Sequence, residues 1–185
     1  KNIILVVMSG RPLILNWADE NIPAIVQAWH LGTQSGHAIS EILYGDYNPS
    51  GKLTMSFPRS VGQMPLYYSR KSTGRPGADG EDQGSVFWSH YQDEKNAPLY
   101  PFGYGLSYTK FDYSQIKLSS SKMSYDESIY AEITVTNSGR VKGREVVQMY
   151  IHDRYASATR PIRELKGFQI IELDPDESIT VTFEI

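Results

Sequence analysis

Ile3 to Met8 is a short, uninterrupted apolar run, which predicts a parallel strand covered on both faces. Ser9-Gly10-Arg11-Pro12 predicts a turn, after which Leu13 to Leu15 resumes the apolar run. Beyond the polar Asp19-Glu20-Asn21, Ala24 to Trp29 predicts a second buried strand. Ala38, Ile39, Ile42 and Leu43 then fall at helical spacing, with Thr33 or Ser35 placed to cap the start and Gly45 to close the end. Strand, helix and turn in this order predict an α/β unit. Asp46 to Ser50 reads as a turn, with Pro49 fixing the chain direction and Gly51 letting it enter a strand at Thr54 to Phe57.

Residues 59–107 keep no long period. Ser72 to Ser85 is the most polar stretch and is expected to be a mobile loop. Phe87, Trp88, Tyr91, Tyr100, Phe102, Tyr104 and Tyr108 follow closely and are expected to be covered. From Phe111 onward the period becomes two. Strands are expected at Tyr113 to Leu118, Ile129 to Thr136, Glu145 to His152, Phe168 to Leu173 and Ile179 to Ile185. Asn137-Ser138-Gly139 and Asp174-Pro175-Asp176-Glu177 supply turns between them. The alternation in IYAEITVT and SITVTFEI predicts that one face of each strand is buried, as in a β-sandwich. Such a sandwich has about seven strands, more than the pattern supplies. The chain also starts on Lys1 at the edge of an apolar run and stops inside an alternating strand, so it is expected to be an internal piece of a longer polypeptide. The change of period near Thr109 predicts a domain boundary.

Composition narrows the chemistry. At 185 residues and 40% hydrophobic, the chain has material for one large domain or two small ones. A net charge of −3 offers nothing to nucleic acid or an acidic membrane surface. No apolar run reaches the roughly 20 residues of a membrane span. The lack of cysteine excludes disulfides, thiol catalysis and cysteine-zinc sites and leaves the compartment open. Thirteen tyrosines and three tryptophans suit both a sugar-binding surface and a β-sandwich core.

Candidate motifs fail on spacing. Gly45 and Gly51 flank five residues rather than the four of a phosphate-binding loop, and Leu53 stands where Ser or Thr is needed. His30, His37, His90 and His152 form no metal-ligand pair. No Gly-x-Ser-x-Gly elbow occurs, and Phe102-Gly103-Tyr104-Gly105 lacks the third glycine of a dinucleotide loop. Adjacent acids such as Asp19 and Glu20 are expected on a solvated surface, and Asp93 and Glu94, among aromatics, in a structural ion pair or a domain contact.

Several blocks, however, carry a resemblance. GDYNPSGKLTMSFPRSVGQMPLYY, from Gly45 to Tyr68, resembles the C-terminal half of family 3 glycoside hydrolases, particularly the periplasmic β-glucosidase branch. SGRPLIL, AWHLGTQSGHAISEILYGDYNPSGKL, LYPFGYGLSYTKF and RPIRELKGFQIIEL agree in the same order, so the resemblance spans nearly the whole chain. PFGYGLSYT following NPSGKL is specific because it joins two unrelated local chemistries at a characteristic separation.

The resemblance implies an α/β region followed by an all-β region. Residues 1–108 would be the C-terminal half of an α/β sandwich domain, and residues 109–185 the first strands of a truncated fibronectin type III-like β-sandwich. It implies a retaining mechanism with an aspartate nucleophile and a glutamate acid/base, whose carboxyls stand roughly 5–5.5 Å apart in such enzymes. Both would lie outside this chain, the first in a barrel domain and the second upstream of SGRPLIL, so no catalytic residue is assigned here and the chain alone is expected to be inactive. The family role implied is a β-glucosidase acting on terminal β-glucosyl residues of oligosaccharides. A β-xylosidase, or a non-catalytic carbohydrate-binding or adhesion module, is the alternative. The implied partners are a β-linked oligosaccharide or glucoside and the barrel of the same polypeptide, without cofactor, metal, nucleic acid or membrane. The implied location is periplasmic or secreted.

Ser72 to Asp93 corresponds to a variable loop followed by an S-x-Y-x-D block, here SHYQD. Relatives often carry Arg at the place of His90 and Phe at the place of Gln92. Trp88, His90, Tyr91 and Asp93 are thereby candidates for substrate binding or a domain interface. An aromatic there can stack on a sugar face, and a carboxylate can accept hydroxyl hydrogen bonds; packing between domains is the competing role.

Overall fold

The structure, a computed structural model, describes residues 2–72, 74–75 and 87–185. Apart from Ser72, Gly74 and Arg75, the loop expected at Ser72 to Ser85 lies outside the described residues. The chain forms two compact units that interleave in sequence. The first comprises Lys1–Leu43, Leu53–Tyr104 and His152–Glu164, and the second Tyr44–Lys52, Gly105–Ile151 and Leu165–Ile185.

In the first unit, strand β1 (Ile4–Val7) pairs in parallel with β2 (Ala24–Gln27), in the register Ile4 to Ala24 and Val7 to Gln27. The polar stretch that follows Leu15 is a short helix, α1 (Asn16–Asn21), which the sequence pattern did not reveal. It is too brief to show a period and starts without a side-chain cap. Helix α2 (Ser35–Tyr44) matches the helical spacing, and Gly45 leaves it at φ 84°, a left-handed conformation that glycine adopts without a Cβ penalty. The strand expected at Thr54 to Phe57 does not form. Only Phe57 makes a bridge, to Tyr100, with the Phe57 N–H donating to the Tyr100 carbonyl at 2.8 Å. Phe57 is 1% exposed, and its ring meets Trp29 at 5.9 Å and Tyr100 at 6.2 Å.

The second unit is built from strands. β5 (Tyr130–Asn137) lies between β8 (Ser178–Glu184) on one side and β3 (Phe111–Tyr113) and β4 (Lys117–Leu118) on the other, all antiparallel to it. A single strand was expected from Tyr113 to Leu118, but the chain divides there. The Ser114 hydroxyl accepts the Thr134 N–H at 2.9 Å, a bond that a strand carbonyl would otherwise take. β6 (Gly143–Ile151) and β7 (Glu164–Leu173) form a separate pair. Ala131, Val135, Val181 and Phe183 from the larger sheet pack with Val147, Met149, Ile171 and Leu173 from the β6–β7 pair in one hydrophobic core. Burying each of these side chains larger than alanine contributes roughly 1.5–3 kcal/mol.

The loop Tyr44–Lys52 is fastened into this second unit. Asn48 accepts the Ser107 hydroxyl at 2.9 Å and the Tyr108 N–H at 2.8 Å, and donates to the Lys142 carbonyl at 3.0 Å. Lys52 Nζ donates to the Gly105 carbonyl and pairs with Glu145 on β6, each at 3.0 Å. A Cβ on Gly105 would stand 2.3 Å from the Gly51 carbonyl, so the backbones at NPSGKL and PFGYGL meet only because position 105 has no side chain. Asn137, fully buried, closes the NSG turn. It donates to the carbonyls of Val141 and Leu173 and accepts from the Thr109 hydroxyl and the Gly139 N–H.

Candidate functional site

Trp88, His90, Tyr91 and Asp93 sit in an irregular stretch of the first unit, shaped by hydrogen bonds rather than by helix or strand. Asn96 organises it: its Nδ2 donates to the Ser89 carbonyl at 3.1 Å and its Oδ1 accepts the Tyr91 N–H at 3.2 Å. Nδ1 of His90 lies 2.9 Å from the Trp88 carbonyl. A carbonyl only accepts, so Nδ1 carries the proton and, in the neutral ring, Nε2 is left as an acceptor. The Ser89 N–H donates to the Arg75 carbonyl at 2.8 Å, and the Arg75 guanidinium stands 5.8 Å from the centre of the Phe87 ring.

The far end of this stretch is bolted by Gln63, 2% exposed at the end of the 3-10 turn Val61–Gln63. Gln63 Oε1 accepts the Arg59 N–H at 2.6 Å, and its Nε2 donates to the Lys95 carbonyl at 2.6 Å. Arg59 adds a bond to the Ala97 carbonyl at 3.3 Å. Sequence reasoning missed Gln63 and Asn96. The only sequence signal for Gln63 is that it falls inside the block SVGQMPLYY.

The aromatics here are not covered as expected. Trp88 and Tyr91 are 42% and 40% exposed, and Phe87 68%. Trp88 and Tyr91 therefore keep part of their apolar surface accessible, and the Asp93 carboxylate beside them is exposed. Asp93 and Glu94 do not share a role: Glu94 turns back to accept the Lys95 N–H at 2.8 Å.

A second cluster gathers residues distant in sequence. Asp19, exposed on α1, accepts the Tyr100 hydroxyl at 2.6 Å, and Tyr100 stacks on Tyr104 with ring centres 5.5 Å apart. Burial, and then the bond to Asp19, push the Tyr100 phenol well above its ordinary pKa, so it remains a neutral donor. Trp29, next to Phe57, takes φ 52°, a region bulky residues rarely adopt. This cluster can hold α1 and the segment around Tyr100 in place, but offers no second carboxyl for acid/base chemistry. Among the described residues no group of three or more His, Asp or Glu side chains could hold a metal ion.

Comparison with known proteins gives this geometry its context. The model of the glycosyl hydrolase family 3 C-terminal domain matches residues 1–108, and that of a fibronectin type III-like domain matches residues 145–185. Over its whole length the chain is 51% identical to a periplasmic beta-glucosidase of Salmonella typhimurium and 44% identical to a beta-xylosidase of Formosa agariphila. It spans 24% of each of those proteins, about a quarter of their length. It also superposes in full on 25% of the solved beta-glucosidase of Listeria innocua in complex with glucose, with a TM-score of 0.92 and 42% identity.

Proposed function

The chain belongs to glycosyl hydrolase family 3, and from that premise we propose that it is the C-terminal part of a retaining β-glycosidase, a β-glucosidase acting on terminal β-glucosyl residues of oligosaccharides. The observation that carries this reading is the identity to the Salmonella β-glucosidase along every part of the chain. The nucleophile and the acid/base belong to the other three quarters of such an enzyme, and the barrel of the same polypeptide is this chain's partner. Residues 1–108 act as the second half of the α/β sandwich domain and residues 109–185 as the first strands of the fibronectin-like domain. The periplasmic relative supports a periplasmic or secreted location. A β-xylosidase is the second reading, favoured by the Formosa relative.

Within that enzyme, the stretch around Trp88, His90, Tyr91 and Asp93 walls the cleft. The exposed rings of Trp88 and Tyr91 stack on a sugar face, and His90 Nε2 and Asp93 accept hydroxyl hydrogen bonds. Asp93→Ala in the full-length polypeptide is expected to raise KM for an aryl β-glucoside while the melting temperature stays unchanged. A fall in melting temperature with KM unchanged would assign Asp93 to packing. Comparing kcat/KM for aryl β-glucoside and aryl β-xyloside separates the two sugar readings.

A further inference from the structure

The connection between β6 and β7 is long, and its contacts belong to the first unit, although both strands lie almost wholly in the second. Most of it is exposed from His152 to Arg160, and only Pro161 and Ile162 are half-buried as it returns. At that point it grips another segment. The Ile162 N–H donates to the Arg70 carbonyl at 3.0 Å, and Lys71 and Pro161 form an isolated antiparallel bridge. In this widely spaced pairing the bond runs between flanking residues, which suits a proline at the paired position because its missing N–H is not called on.

Arg70 and Lys71 are not an arbitrary target. Within five residues the chain reaches Arg75, whose carbonyl holds the Ser89 N–H at 2.8 Å. Ser89 lies between Trp88 and His90, and its carbonyl is held in turn by Asn96. Gln63 anchors Lys95, beside Asn96. The stretch with the exposed rings is therefore held at one end by Gln63 and Asn96. At the other end it is held by Arg75, four residues along the chain from Lys71, and Arg70–Lys71 is clasped by the β6–β7 connection.

We propose that Pro161 and Ile162 are positioning residues for substrate binding: by clasping Arg70–Lys71, the β6–β7 connection sets where Trp88, His90 and Tyr91 present themselves to a sugar ring. The inference rests on the cleft reading above. It gives the connection a task that a plain strand linker lacks. Misplacing a binding group by about an ångström is enough to weaken substrate capture without disturbing the chemistry elsewhere.

The test uses the full-length polypeptide, with whichever of aryl β-glucoside or aryl β-xyloside it hydrolyses faster. Ile162→Pro removes the N–H donor, and Ile162→Val keeps it. Trp88→Ala is measured beside them. The expected result is a KM raised about threefold or more by Ile162→Pro, with kcat within about twofold and an unchanged melting temperature, and a wild-type KM for Ile162→Val. If Trp88→Ala raises KM and Ile162→Pro does not, the clasp is overturned and the cleft reading stands. If neither moves KM, both are overturned. A rise with Ile162→Pro alone overturns the route through Trp88. A lowered melting temperature with KM unchanged reduces the clasp to a structural contact and overturns the proposal. Should Ile162→Pro not fold, removal of the exposed residues 156–159, which shortens the connection, is judged by the same criteria.

Discussion

The two units bury different things. The second encloses aliphatic and aromatic side chains from both of its sheets, Val135 and Leu173 among them, in one continuous core. The first buries Val7, Ala18 and Phe57 as apolar residues, with Ser56 and Gln63 as polar ones. Its helix α2 buries no residue, and Ile4 on β1 is 49% exposed. A parallel pair of strands is normally covered on both faces. The second unit is thus held by the hydrophobic effect acting across two sheets. The first has fewer buried apolar residues and leans on hydrogen-bonded side chains such as Gln63, Asn96 and Tyr100. In such an arrangement, order within loops comes from polar anchors.

The largest effect on this contrast is expected from Lys52→Met. Glu145 is 8% exposed and would stay buried without its cation, a loss of about 3–5 kcal/mol in the second unit. Tyr113, whose phenol is pushed above its ordinary pKa first by burial and then by Glu145, donates to the same carboxylate but brings no positive charge. Urea unfolding checks the loss, and adding Glu145→Gln should restore much of it. A wild-type midpoint for Lys52→Met would show that the loop is not part of that unit.

A smaller and local effect is expected from Gln63→Leu. The carbonyl of Lys95 and the N–H of Arg59 lose their partner, which costs about 1–3 kcal/mol for each group that stays buried. Hydrogen exchange should quicken at residues 59–63 and 89–97 and leave β5 and β8 unchanged. Equal quickening in both units would break the contrast.

The smallest effect is electrostatic. Glu172 on β7 pairs with Lys142 and Arg144, and those hydrogen bonds and charges lower its pKa from 4.5 to about 2. Its folded value is below its unfolded one, so its contribution is fully present above about pH 4.5 and is lost as pH falls towards 2. The group is solvent-exposed, so salt should shrink the effect. Thermal unfolding of Glu172→Gln between pH 2 and 5 should show a flatter acid limb than wild type, and an identical limb would remove Glu172 from the account of acid sensitivity.

Legibility in the sequence follows the same division. Alternation located β5 and β8 closely because one face of each is packed in the core. It failed at Thr54–Phe57, where apolar residues form a single bridge, and at Ser114, whose hydroxyl interrupts a strand. Helix α1 was hidden by its brevity. Asn137, Gln63 and Asn96 were not legible as anchors: Asn137 and Gln63 take partners some 30 residues away, and nothing in local periodicity encodes them. The candidate site was legible only through the resemblance of SHYQD to a family block, since its loop has no period of its own. The same resemblance placed the catalytic carboxylates beyond this chain.

The most direct test compares hydrolysis of an aryl β-glucoside by the full-length polypeptide and by residues 1–185 alone, at equal concentration. On the proposed reading, in which the nucleophile and the acid/base belong to the rest of the enzyme, turnover is expected from the full-length polypeptide and none from the chain alone. Comparable turnover by residues 1–185 would contradict this and require a carboxylate pair within the chain itself.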